Sequence, residues 1–446
     1  MSSKRDGQLH LGAFLYFSGH HHAGWRHPDS GVEKMFDIKL YEQLAATAER
    51  GKLDMIFFAD LLHLIYPSRA AAGMLDPVSL LSALSMATSR IGLTATISTT
   101  YNEPFHVARR MATLDLLSGG RAGWNIVTSQ VDAEANNFGR EKHPEHALRY
   151  EMAAEFVEVV TRLWDSWEDD TLVMDRQAGV FADVSKLHTV DYQGRWYNSK
   201  GPLITPRPPQ GYPVLIQAGS SEPGQAFAAQ YGEIIFTAQQ SLAAAQSFYR
   251  TLKNKVAAEG REPDSLKIMP GLSPILGGTE EEALRREREL LDLIDPDEAV
   301  MMVSGMLQYD LSGYPADGPL PDIPNPVKAS NGMKSRVQLV MDLARKDGLS
   351  IIELGRRLLG ARGHMQFVGT PEQLADLMQE WYEGYGCDGF NIMPPVLPGD
   401  LNEFVDHVVP VLQRRGLFRE EYEGSTLREH LGLKRPAPGH FKQPIA

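Results

Sequence analysis

Short, largely apolar runs of five to nine residues alternate along this chain with longer stretches in which apolar residues recur every three or four positions. The runs begin with Leu11 to Tyr16 and continue with Met55 to Ala59, Ile91 to Thr99 and Ala122 to Ser129. Met55 to Ala59, apolar throughout, reads as a buried parallel strand, and Ile91 to Thr99 is rich in the β-branched residues that favour strands. Between them, 35–50, 77–89, Phe105–Leu117 and Glu145–Trp167 carry helical spacing, and Gly51 and Gly119-Gly120 are placed to end two of these helices. No hairpin signal intervenes, so the strands are predicted to be parallel with helical crossovers.

The rhythm breaks over 168–212. There, short strands near Leu187–Tyr192 and Arg195–Asn198 flank a turn at Gly194, and a proline-rich connector runs from Pro202 to Pro213. It resumes with strands at Val214–Gly219, Ile234–Thr237 and Leu266–Leu276, each followed by a helix, and breaks again from 295 to about 365. Thr370 as N-cap and Pro371 at the first helical position open a helix through Trp381. Asp388–Met393 and a helix over 401–414 close the set. Eight strand–helix units predict an α/β fold, a (β/α)8 TIM barrel. It would form one domain over 1–432 with long insertions at about 168–212 and 295–365, and a tail, 433–446, that is loose or wraps a neighbour. An open doubly wound sheet is the alternative.

Composition narrows the function classes. A length of 446 residues suits one elaborated barrel, and 43% hydrophobic residues exclude a mainly disordered chain. Lys plus Arg number 44 against 57 Asp plus Glu, a net charge of -13, which argues against a general nucleic-acid grip. The one cysteine, Cys387, excludes an internal disulfide and a cysteine zinc site. The first 30 residues lack a signal-peptide apolar region and no apolar run is long enough to span a bilayer, so a cytoplasmic enzyme without a membrane segment is expected.

Barrels carry their chemistry at the C-terminal strand ends. The residues there would be His20, His21, His22 and His27 after the first strand, then Asp60 and His63, then Thr96, Ser98, Thr99 and Tyr101. Asn125, Thr128 and Ser129 follow, and then Gly219, Ser220 and Ser221. Three adjacent histidines cannot all aim at one centre and there is no HExxH, so no metal is expected. A histidine near neutral pKa can move a proton or bind an anion, or it can simply bond backbone. Asp60 could cap a turn or wall a cofactor ring. The Gly219–Gly224 turn before a helix suits a phosphate, or Ser221 is only an N-cap. His146 and Tyr150, four apart, share a helix face as a plain polar pair or as ligand contacts. GxGxxG after the first strand, GxxxxGK[ST] and GxSxG are all missing.

Longer motifs add a resemblance. Gly19-His20-His21 with Trp25-Arg26-His27-Pro28, Phe57-Phe58-Ala59-Asp60, and Thr99-Thr100-Tyr101 with Glu103-Pro104 occur in the first third. Ser118 to Asn125, Asn136-Asn137-Phe138-Gly139, Gly201-Pro202-Leu203 and Pro206 to Gly211 come next. Gln217 to Ser221, Asp317 to Pro321 and Val368 to Glu372 complete the set. Over roughly residues 8–432 the chain resembles the bacterial-luciferase-like flavin monooxygenases, in the branch of nitrilotriacetate monooxygenase component A, pristinamycin synthase and dibenzothiophene-sulfone monooxygenase.

The resemblance implies a two-component monooxygenase. Reduced FMN would come from a separate NAD(P)H:flavin oxidoreductase, and O2 would be used to oxygenate a small sulfur- or nitrogen-containing organic substrate. Flavin contacts would be Asp60 and Thr96 near the ring and His146, Tyr150, Ser220 and Ser221 at the ribityl phosphate. His20 or His21 would stand near the reacting edge, donating a hydrogen bond there, with Phe57 or Phe58 packed beside it. The branch sometimes carries a histidine in its late insertion; none occurs between 295 and 363, and His364 lies nearer the next element. A homo-oligomer, dimer or tetramer, is expected. The alternatives are an F420-dependent or other non-oxygenating oxidoreductase on the same scaffold, and a non-catalytic flavin-binding protein.

Overall fold

A computed structural model describes residues 5–64, 73–129, 131–307, 309–323, 340–341, 344–345 and 348–439. The first strands are β1 (His10–Leu15), β2 (Met55–Phe58), β3 (Gly92–Ser98) and β4 (Ala122–Val127). After the helix His146–Trp164 two small antiparallel hairpins emerge, β5 (Leu172–Asp175) with β6 (Val180–Ala182), and β7 (Tyr192–Gln193) with β8 (Asn198–Ser199). The barrel continues with β9 (Val214–Gln217), β10 (Ile234–Thr237) and β11 (Lys267–Leu276), and after β12 (Met365–Gly369) ends with β13 (Gly389–Ile392). All pairings in the main sheet are parallel, and the order β1-β2-β3-β4-β9-β10-β11-β13 returns to β1. The fold is therefore the expected closed eight-stranded barrel with surrounding helices.

Two features depart from the sequence reading. The first insertion carries the β5–β6 hairpin ahead of the predicted strands, and those strands are shorter and lie later, at Tyr192–Gln193 and Asn198–Ser199. The second excursion, whose residues 324–339 lie outside the described ones, holds helices Pro296–Leu307 and Ile351–Ala361. It returns through a ninth parallel strand: β10 runs beside Lys267–Pro270 of β11, and β12 beside Leu272–Leu276.

Alternation along each strand sorts side chains between two layers. Leu11, Ala13 and Leu15 of β1 and Ile56 and Phe58 of β2 pack outward under the helices. Phe14, Tyr16, Met55 and Phe57 point inward, with Val214, Ile216, Ile234, Phe236, Met269 and Met393. The base of this interior is closed from the other end of the chain. Leu427 occupies space that side chains at Gly92 and Gly123 would fill, with Leu431 and Leu433 beside it. The tail is tied down as far as Gly439, contrary to the expectation of a loose end. Arg207 donates to Pro436 O at 2.8 Å, Arg435 pairs with Asp169, and Gly439 N donates to Asp165 Oδ2 at 3.1 Å. Residues 440–446 lie outside the described ones. Among the described residues no helix is long and apolar enough to cross a membrane, and no cluster of three His, Cys, Asp or Glu could hold a metal.

Candidate active site at the barrel mouth

The loop after β1 turns at Gly19, whose φ of +129° and approach to the Pro395 carbonyl exclude a side chain. The turn sends the two neighbouring histidines different ways. His20 folds back over the barrel interior, its ring edge-on to Phe14 at 4.4 Å and stacked with Tyr16 at 5.4 Å. His21 is equally buried but lies toward His22 and His27, and burial, with those neighbours, lowers its pKa to about 3. His22 pairs with Glu298 at 3.1 Å, and His27 accepts from the Asp29 amide.

The His20 tautomer follows from its partner. Its Nε2 lies 2.9 Å from the Phe14 carbonyl, which can only accept, so Nε2 carries the hydrogen. Burial, Arg362 and His364 hold its pKa well below the usual imidazole range, so the ring is neutral and Nδ1 is a bare lone pair. That nitrogen is buried without a partner among the described residues. The expected hydrogen-bond donor is therefore built as an acceptor. Phe57 packs edge-to-face on Phe14 at 4.8 Å inside the barrel. Phe58, the other candidate for this position, instead meets Tyr41 at 5.8 Å in the helix layer.

Next around the rim, Thr96 Oγ1 donates to the Phe58 carbonyl at 2.7 Å and accepts from Asn125 Nδ2 at 2.8 Å. The Thr96 hydroxyl proton is thus committed to protein, and its lone pair orients Asn125. Asn125 Oδ1 is buried with no donor among the described residues. The open group at this point is Asn125, which the sequence reading placed on the rim without assigning it a contact. Asp60 is mostly buried at the end of β2; burial, with Asp76 and Glu134 nearby, lifts its carboxyl to about 6.

A second cluster sits at the ends of β9 and β10. Ser221 caps the helix Glu222–Tyr231, accepting from Gly224 N at 3.3 Å. Ser220 Oγ is exposed and lies 3.3 Å from Thr237 Oγ1. Gln217 Nε2 donates to the Tyr150 hydroxyl at 3.4 Å. A Cβ at Gly219 would come within 2.6 Å of that hydroxyl and one at Gly224 within 3.0 Å, so the two glycines admit it to the turn. His146 is exposed one helical turn earlier, edge-on to Tyr150 at 5.2 Å. Tyr150, Ser220 and Ser221 come together, with His146 at their margin.

Across the mouth stands a group the sequence left in doubt. His364, immediately before β12, stacks on Phe236 at 4.8 Å and 16°, over Gly271, where a Cβ would lie 2.4 Å from Nδ1. Arg362 places its guanidinium over the Tyr16 ring at 4.0 Å. The late excursion thus delivers a histidine to the mouth, although the residues between 295 and 363 contain none.

A mouth of this kind on a parallel barrel defines a class. Residues 13–389 match the family described as luciferase-like monooxygenase, and the chain belongs to it. The chain is 52% identical to N-acetyl-S-(2-succino)cysteine monooxygenase of Bacillus subtilis (strain 168), over 99% of this chain and 100% of that protein. It is 45% identical to nitrilotriacetate monooxygenase component A of Aminobacter aminovorans, over 96% and 97%. Among solved structures it is similar to the EDTA monooxygenase of Chelativorans sp. BNC1, with a TM-score of 0.80, 33% identity, and coverage of 97% of this chain and 100% of that one.

Proposed function

We propose that this chain is the oxygenase component of a two-component FMN system. It would take reduced FMN from a separate NAD(P)H:flavin oxidoreductase and use O2 to oxygenate a small organic substrate at sulfur or nitrogen. One observation carries this reading: among the described residues, the buried groups at the mouth without a partner include the acceptors Asn125 Oδ1 and His20 Nδ1. Orphaned buried acceptors are costly unless a ligand supplies N–H groups. A reduced flavin ring carries such groups. The turn at Ser220 and Ser221, with the start of a helix behind it, suits the phosphate end of the same molecule. Asp60, Thr96, His146 and Tyr150 complete the proposed cradle, Thr96 by orienting Asn125.

When bound, reduced FMN supplies the electrons that activate O2. The chain's own share is positioning, proton control and exclusion of water. Phe14, Phe57 and Phe236 give the interior an apolar aromatic floor. His20 Nδ1 is a neutral acceptor that can take a proton or hold an N–H in place. Asp60, with a carboxyl near 6, can exist in either protonation state at neutral or mildly acid pH.

The substrate reading rests on the family and on the names of two similar enzymes, one naming a thioether and the other a tertiary amine. The test is anaerobic titration with reduced FMN, reduced riboflavin, NADH and reduced F420. Reduced FMN should bind most tightly and reduced riboflavin next, and Ser220→Ala with Ser221→Ala should weaken FMN more than riboflavin. Tight NADH binding without flavin, or a preference for F420, would contradict the proposal.

A further inference from the structure

The helix Ile351–Ala361 ends with two left-handed residues, Arg362 at φ 53° and Gly363 at φ 81°. A left-handed arginine is uncommon, and the turn is pinned around it. Gln240 Nε2 donates to the Gly363 carbonyl at 2.7 Å, His364 N donates to the Ala361 carbonyl at 2.9 Å, and the His364 ring is stacked on Phe236. The effect is to hold the Arg362 guanidinium over the Tyr16 ring, at the mouth, close enough to His20 to depress its protonation.

This guanidinium is solvent-exposed, and among the described residues it makes no ion pair and no hydrogen bond. Other arginines do pair with acids, among them Arg286 with Asp400, Arg356 with Asp292, Arg415 with Asp376 and Arg428 with Glu233. In a chain of net charge -13, Arg362 thus has no acid partner among the described residues and is pre-oriented by an aromatic face over the floor of the mouth. A guanidinium used only for packing would lose nothing by pairing with an acid. One left open, with its planar fork of donors facing solvent, is built to receive a planar acceptor.

We propose that Arg362 is a substrate-carboxylate anchor, which makes the substrate of this enzyme a carboxylate-bearing sulfur or nitrogen compound. This rests on the flavin monooxygenase reading above and adds the substrate class and the residue that selects it. The neutral, donor-poor floor at His20 offers an anion nothing, so the carboxylate engages at the rim and leaves the sulfur or nitrogen over the aromatic floor.

The experiment uses the full chain, Arg362→Gln and Arg362→Lys. The probes are N-acetyl-S-(2-succino)cysteine, nitrilotriacetate and the fully methylated ester of each. Binding is read by calorimetry, and turnover with a flavin-reductase supply of reduced FMN. Melting temperature verifies folding. Arg362→Gln should weaken binding of the acids by about tenfold or more, as expected for loss of a charge-assisted bidentate contact, while the esters bind as to the unaltered enzyme. Arg362→Lys should restore part of the difference. Reduced-FMN affinity should not move. Equal weakening of acid and ester, or no weakening of either, would overturn the proposal. So would absence of saturable binding of both acids to the unaltered enzyme. Failure of reduced FMN to bind would instead remove the flavin reading, and the calorimetry would still report on Arg362.

Discussion

The buried acids at the base of the barrel are paired, whereas groups at its mouth are left open. At the base, Asp388 is fully spoken for. Its Oδ1 accepts from Arg5 and from Tyr249 at 2.9 Å, and its Oδ2 from the Ile268 amide at 2.8 Å and Lys253 at 3.1 Å. Arg5 in turn lies over Tyr382 at 4.3 Å and Tyr385 at 4.7 Å. Asp54 accepts from the Leu11 amide, Arg419 and His10. At the mouth, by contrast, His20 Nδ1 and Asn125 Oδ1 are buried and unsatisfied, Asp60 is lifted toward 6, and Arg362 has no acid among the described residues. The base joins the two ends of the chain to the sheet and closes it. The mouth holds back interactions that a ligand can complete. With the proposed function, stability and chemistry fall to opposite faces of one set of strands.

The largest expected effect is at the base. Asp388→Ala leaves Lys253 and Arg5 buried without their counter-ion, a change of about 3–5 kcal/mol in unfolding free energy, measured by urea denaturation. Turnover per folded molecule should survive. Burial alone would raise this carboxyl, but Lys253 and Arg5 hold it at about 2. A depressed folded pKa contributes stability that is present above the unfolded value and lost as pH falls. The unaltered protein should therefore lose stability between about pH 4 and 2, and Asp388→Asn should flatten that window.

The mouth should respond in the opposite sense. His20→Ala should cut coupled product formation by about 100-fold, in the range of a lost proton-handling group, with hydrogen peroxide released instead. His22→Ala and His27→Ala should stay coupled. If His20→Ala loses stability in proportion to activity, the division between the two ends fails. A smaller effect belongs to Asp60. The pH profile of turnover should show an inflection near its value of about 6, and Asp60→Asn should remove that inflection without unfolding the protein. An unchanged profile would return Asp60 to a structural role.

The barrel was legible because its strands are short, mainly apolar or β-branched runs that alternate regularly with helical spacing. The same property hid which side chains face inward. In Met55–Phe58 every residue is apolar, so nothing in the sequence distinguishes Phe57, inside, from Phe58, outside. The β5–β6 hairpin was missed because its residues, such as Val173, Met174 and Phe181, are exposed and form no buried run. The strand Met365–Gly369 lies between the irregular stretch, read as ending at about 365, and the helix opened by Thr370, where the sequence reading assigned no element. Ser220 and Ser221 after a strand and Tyr150 on a helix could be singled out from the sequence, and the fold brings the three together. Asn125 gained its importance only from the hydrogen bonds that commit Thr96. His364 and Arg362 reach the mouth only through the fold, since more than 340 residues separate them from the loop after β1. Arg5 against Asp388, and Leu427 within the barrel base, are likewise contacts between chain ends that no local pattern announces.

The contrast between the ends can be tested in one experiment, hydrogen exchange of the whole chain followed by mass spectrometry, with and without reduced FMN under anaerobic conditions. The account predicts new protection at the mouth, in segments 58–64, 96–102, 124–129, 146–150 and 217–224, and no change at the base around Asp54, Asp388 and Leu427. Protection centred on the base, or none anywhere at saturating reduced FMN, would contradict it.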